Sequence, residues 1–265
     1  MSDVAKWFGG RSRVLFVHAH PDDESITTGG TLAALSEVGR EPLLITLTRG
    51  ERGEVVPGPL QGLVQAHGLA VVRQNELKTA LGMLGLERHV FLGVEPARAE
   101  DLPPTIYEDS GMAWGDDGLA TAATDVSADA LTSVPAVEVL NDLLAGVYLS
   151  GAQGIVSYDD GGGYGHPDHV LAHRISRAVA TALGLPFWEI VSKPGAVEVQ
   201  SDDKVEAHDV TPWIDRKRAA LRAYATQLKV DGDDIVHVGG QRQPIDTMEQ
   251  FRLYACSSAP RNVRV

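Results

Sequence analysis

The stretch 14–30, V-L-F-V-H-A-H-P-D-D-E-S-I-T-T-G-G, constrains the fold more than any other part of the chain. Its apolar run, Val14 to Val17, reads as a buried strand. Pro21 cannot continue a central strand, so the ladder should stop near His20. Asp22, Asp23 and Glu24 then fall in a loop, before a Gly-Gly pair and a helical pattern. Ligands of open α/β sheets bind outside the carboxyl ends of the strands, so this acidic loop is a candidate site.

The rest of the chain supports such a sheet. Strand patterns at 14–19, 41–48, 89–92, 154–157 and 187–191 alternate with helical periods at 31–38, 72–84, 134–149 and 167–183. Long polar loops are expected at 49–70 and 93–128, and a glycine-rich one at 158–165. This alternation predicts an α/β fold: a Rossmann-like, doubly wound, mainly parallel sheet in the order 3-2-1-4-5. After 191 the pattern becomes mixed, with a hairpin of 197–199 and 205–209, a helix over 212–228, and strands at 235–238 and 249–254. The expected division is a catalytic core, 1–191, and an appended α+β lobe, 192–265, within one structural domain.

A second cluster, Y-G-H-P-D-H at 164–169, also follows a strand. In the expected order the first and fourth strands are neighbours, so segments about 150 residues apart should meet. Two histidines and one carboxylate suit a catalytic zinc, which leaves a coordination position for water. A neighbouring carboxylate can take a proton from that water. Spacing does not decide between Asp22 and Asp23, or among His166, His169 and His173 as ligand. Taken alone, the first cluster would be a helix cap and the second a proline-started helix. Together they favour a metal. His18 alternates with His20 and reads as structural, as does His173; Cys256 reads as an inert thiol. Gly161 to Gly163 are not a phosphate loop, because no Gly-Lys-Ser/Thr follows.

A formal charge of −13 argues against nucleic acid as a partner. The single cysteine allows no internal disulfide. No apolar run approaches the roughly 18 residues of a membrane span, and no signal-peptide core is visible. The expectation is a cytoplasmic, soluble protein without membrane insertion, whose partner is a small molecule; a homo-oligomer is left open.

H-A-H-P-D-D-E with Y-G-H-P-D-H strongly resembles the PIG-L/LmbE-like zinc N-deacetylases. G-E-R-G-E-V at 50–55, the segment 73–77, D-S-G-M at 109–112 and A-L-R-A-Y-A-T-Q at 220–227 look like the mycothiol-pathway branch, which holds an N-acetylglucosaminyl-inositol deacetylase and a conjugate amidase. The resemblance implies His20, Asp23 and His169 as metal ligands, for zinc or iron(II), and Asp22 as general base. It implies a protonated His166 assisting the leaving amine, Asp168 orienting it, and Tyr164 on the oxyanion. Arg73, Asp109, Glu54 and Thr27 would contact the substrate. Thr27 leans toward the deacetylase, which carries a small hydroxyl residue there, whereas the amidase carries Lys. Tyr224 departs from the histidine of both relatives. The expected activity is removal of acetyl from an N-acetylglucosamine-type amino sugar. Cleavage of a mycothiol S-conjugate is the alternative, and a non-catalytic sugar- or nucleotide-binding module a more remote one.

Overall fold

The structure, a computed structural model, describes residues 3–115, 118–191 and 204–254. The strands are β1 (Leu15–His18), β2 (Leu43–Thr46), β3 (Arg88–Phe91), β4 (Met112–Trp114), β5 (Ala120–Ala122), β6 (Ile155–Ser157), β7 (Phe187–Ile190), β8 (Val205–Asp209), β9 (Leu228–Asp231), β10 (Asp234–His237), β11 (Arg242–Pro244) and β12 (Met248–Tyr254). The helices are α1 (Asp23–Thr27), α2 (Gly29–Glu37), α3 (Leu60–His67), α4 (Leu69–Leu84), α5 (Ala136–Ser150), α6 (Gly162–Gly165), α7 (Pro167–Leu183) and α8 (Ile214–Ala223).

The central sheet runs β3-β2-β1-β6-β7-β12-β8. Its first five members are parallel, and β12 pairs antiparallel with both β7 and β8. Successive strand side chains point to opposite faces, which splits the core in two. Phe16, Leu44, Val156 and Trp188 face Leu32, Leu35, Leu81 and Leu221. Leu15, Val17, Ile45 and Ile155 face Leu143, Val147, Ile175 and Val179. Helices cover both faces, so β1 is buried along its whole length. Strands β1 and β6 are hydrogen-bonded neighbours, with Leu15 opposite Ile155 and Phe16 opposite Val156. The chain leaves this pair in opposite directions across the sheet, and the site lies at their carboxyl ends.

Several elements depart from the sequence pattern. The first helix begins earlier than 31, because the Gly-Gly pair lies inside α2 rather than before it. A Cβ on Gly30 would stand 2.4 Å from Cβ of Val210, so glycine there permits close packing. The expected loop 49–70 contains α3, an amphipathic helix none of whose residues is buried. The loop 93–128 contains the β4–β5 pair. The helix expected over 212–228 ends at Ala223, where Tyr224 turns inward. Strand 205–209 pairs with β12; its expected partner, 197–199, lies outside the described residues, as does Cys256. Among the described residues no helix is long and apolar enough to cross a membrane.

Candidate active site

The turn after β1 and the start of α7 meet at the carboxyl edge of the sheet. His20, Asp23 and His169 converge there, all buried. Nδ1 of His20, Nε2 of His169 and Oδ2 of Asp23 form a triangle with all three sides 3.3 Å. Tetrahedral donors about 2.0–2.1 Å from zinc stand about 3.3–3.4 Å apart, so the triangle has the size such an ion needs.

Proton placement supports the same conclusion. Nε2 of His20 lies 3.1 Å from Oδ2 of Asp168 and 3.5 Å from Oδ1 of Asp109, so its hydrogen belongs on that nitrogen. Nδ1 of His169 faces the carbonyl of Gly162 at 3.2 Å and carries the hydrogen there. With the hydrogens so placed, both rings turn a lone pair toward Asp23, an arrangement that suits a cation. Asp23 is itself oriented: Oδ2 accepts from the Tyr158 hydroxyl at 2.7 Å and from the His20 amide at 2.9 Å. Burial opposes charge on His20, yet Asp109, Asp168 and Asp23 outweigh it and raise its pKa well above the usual imidazole value, so a second proton on Nδ1 is what a cation would displace there. Burial also opposes charge on Asp23, but His169 and His20 hold it well below the carboxylate range. The electrostatics of the pocket favour positive charge.

Asp22 sits beside this centre at φ 122°, a conformation that L-residues rarely adopt. Such strain costs about 1–3 kcal/mol and persists only where the surroundings over-determine it. Burial and the neighbouring carboxylates Asp23 and Glu24 push its pKa well up, while Arg73 and His20 oppose the shift. A carboxylate raised in this way is a better match for proton transfer near neutral pH.

His166 caps α7: the Asp168 amide donates to its Nδ1 at 3.2 Å. That nitrogen must hold a lone pair, so the ring is neutral with Nε2–H as its remaining donor, not the protonated group the resemblance implied. Burial, then His20 and His169, lower its pKa to about 3. The carboxylate of Asp168 does not orient His166 either. It accepts from His20 and from the Ser110 amide at 3.0 Å, and its other oxygen has no partner among the described residues. His20 and His166 also cluster with His169 on one side and with Asp109 and Asp168 on the other, two buried groups of metal-ligand donor types.

Tyr164 is 36% exposed, its ring 5.2 Å from that of His169 and 6.0 Å from that of exposed Trp114. Asp109 is buried; its oxygens accept from the Gly111 amide at 2.8 Å and the Arg52 amide at 3.3 Å. Arg73, on α4, lies against Gly50 and Gly53, where a Cβ would stand 2.3 and 2.1 Å from guanidinium nitrogens. The Thr27 hydroxyl donates to the Asp23 carbonyl at 2.7 Å, and Glu54 is exposed in the loop after β2. His18 is buried against the Thr28 hydroxyl at 3.1 Å, and His173 against the Tyr158 carbonyl at 2.9 Å.

Sequence reasoning gave no role to Tyr158 or Glu24. Tyr158 follows β6 directly and so obeys the same strand-end rule that marked His20. Glu24 lay inside the first motif, but its partner, Tyr224, is 200 residues away.

A family model described as GlcNAc-PI de-N-acetylase, PIG-L, matches residues 15–180, both clusters included. The chain belongs to the PIG-L family. A relative from Kineococcus radiotolerans, named 1D-myo-inositol 2-acetamido-2-deoxy-alpha-D-glucopyranoside deacetylase, is 37% identical over 285 residues, covering 91% of this chain and 77% of its own. One of the same name from Tsukamurella paurometabola is 37% identical over 295 residues, covering 94% of each. The solved structures that the chain resembles are more distant in sequence. A deacetylase of the teicoplanin biosynthesis pathway superposes with a TM-score of 0.61 at 19% identity, over 93% of this chain and all of its own. A 4-carboxy-2-hydroxymuconate hydratase from Pseudomonas putida superposes with a TM-score of 0.56 at 17% identity, over 92% of this chain and 97% of its own. These likenesses show the fold; a hydratase among them means that the reaction must be argued from the site.

Proposed function

We propose that this protein hydrolyses the acetamide of an N-acetylglucosaminyl-inositol, using a divalent cation, zinc or iron(II), held by His20, Asp23 and His169. The observation that carries this reading is the 3.3 Å triangle of two imidazole nitrogens and a carboxylate oxygen, in a chain whose relatives bear that deacetylase name. When bound, the cation would polarise the acetyl carbonyl and acidify water. A Rossmann-like reading of the five parallel strands supports placing the sugar at the ends of β1 and β6.

Asp22 takes the proton of the attacking water. Nε2–H of neutral His166 and the Tyr164 hydroxyl donate to the oxygen that gains charge as the carbonyl carbon becomes tetrahedral. Asp22 then returns its proton to the amine nitrogen as the C–N bond breaks, so acetate and the free amino sugar leave. Arg73, Asp109 and Glu54 line the approach for sugar or inositol hydroxyls. Thr27, its hydroxyl already used, contributes a small side chain beside the centre.

Acetate release from N-acetylglucosaminyl-inositol, assayed beside a mycothiol S-conjugate, tests the substrate. Asp22→Asn tests the base: it should retain one equivalent of metal while turnover falls by about 10²- to 10⁴-fold. Near-normal turnover in that variant would overturn the assignment.

A further inference from the structure

The base is held by a residue from the far end of the chain. Tyr224 and Glu24 are both fully buried. The Tyr224 hydroxyl donates to Oε1 of Glu24 at 2.5 Å, and Ser25 Oγ donates to the same oxygen at 2.5 Å. Oε2 accepts from the backbone amide of Asp22 at 3.2 Å. Three donors thus occupy both oxygens of Glu24. The Asp22 carbonyl in turn accepts the amides of Ser25 and Ile26, each at 3.0 Å.

Tyr224 is itself anchored. It leaves α8 with φ −84° and ψ 50°, which turns the ring inward. Two residues on, Thr226 donates its amide and hydroxyl to Glu76 of α4 at 2.8 and 2.6 Å, and Gln227 Nε2 reaches the same carboxylate at 3.3 Å. The Thr226 carbonyl accepts the Val56 amide at 2.8 Å, which ties in the loop after β2.

We infer that Tyr224 and Glu24 are positioning residues for the base: hydroxyl, carboxylate and Asp22 amide form one chain that keeps Asp22 at positive φ and its carboxyl group aimed at the reacting water. The inference rests on the reading of Asp22 as the base. A side chain at φ 122° has no local preference for that backbone, so an outside acceptor for its amide decides whether it stays.

Tyr224→Phe removes one hydroxyl and leaves the ring volume. A misaimed base should cost turnover about 10- to 100-fold. KM should change by less than about twofold and the bound metal should remain at one equivalent, since neither depends on the aim of Asp22. Ser25→Ala, which takes the other hydroxyl from the same oxygen, is the second variant and should lower kcat in the same direction. The deciding readout is coupling: Tyr224→Phe placed on Asp22→Asn should change the residual rate by less than about twofold, because the group it positions is already gone. A crystal structure of Tyr224→Phe should show Asp22 returned to negative φ. The inference is overturned if kcat of both single variants stays within about twofold of the parent, or if Tyr224→Phe cuts the Asp22→Asn rate by its full single-variant factor. Normal turnover in Asp22→Asn would bring down the base assignment and this inference together. A dead Asp22→Asn beside normal Tyr224→Phe and Ser25→Ala would bring down the inference alone.

Discussion

The ring of His20 stands between two sets of charges. Its Nδ1 faces Asp23 and His169, and its Nε2 faces Asp168 and Asp109. A carboxylate behind a metal-binding imidazole fixes the tautomer and makes the ligand more basic. Asp168→Asn keeps an oxygen for His20 and Ser110 but removes the charge. It should weaken zinc affinity about 10- to 100-fold, measured by competition with a chelator, while the fold persists. Unchanged affinity would mean that Asp168 serves only the backbone of Ser110. At this scale strand ends and residue type marked the two clusters as a candidate site, and only the family resemblance singled out His20, Asp23 and His169 within them. The partner of Asp168 was not legible, since the resemblance paired it with His166. Residues two apart at a helix start do not face each other, and the structure joins them through the main chain instead.

One helix of this protein is capped from a distance. The first amides of α2, on Gly30 and Thr31, donate to Glu249 of β12 at 2.9 and 2.8 Å. Lys217 of α8 pairs with the same carboxylate at 2.8 Å, with side chains 0% and 1% exposed. A helix N-terminus favours an anion, and the lysine balances it. Lys217→Met would leave Glu249 buried and uncompensated, at a cost of about 3–5 kcal/mol. Urea denaturation should show a lower midpoint with an unchanged slope, and adding Glu249→Gln should recover part of the loss. An unchanged midpoint in Lys217→Met would show that the two amides alone satisfy Glu249. None of this was visible in sequence, because the cap lies 219 residues from its helix. The early end of α8 has a similar origin: an inward tyrosine partnered by Glu24 overrides a helical period that continues past it.

At the scale of the whole molecule, alternation of strands and helices was enough to read a mainly parallel sheet and to bring two motifs together. Beyond Val191 local pattern carried less, because β8 and β12 owe their places to pairing with β7 and with each other. Such pairings follow long-range burial rather than periodicity. Burial on this scale also lowers the pKa of particular histidines. His18 and His89 are lowered to about 4 by burial, and His208 is lowered by burial against the pull of Glu206. His89 lies away from the His20–Asp23–His169 triangle, on β3, with Nε2 3.1 Å from the Thr46 hydroxyl and Arg49 nearby, so it isolates this effect. In the unfolded chain a histidine titrates near 6.5. Below that pH the unfolded state binds a proton that the folded state refuses, so the linkage favours unfolding. The contribution of His89 to stability is therefore intact above about 6.5, falls as pH drops toward about 4, and levels off below, where both states are charged. Melting temperatures of the parent and of His89→Gln, taken from pH 7.5 to 4.5 in matched buffers and metal, should diverge in slope. The parent should lose stability more steeply on acidification, because it alone must exclude that proton. Parallel slopes would mean that His89 takes up its proton as readily folded as unfolded, and that acid sensitivity comes from the other buried groups.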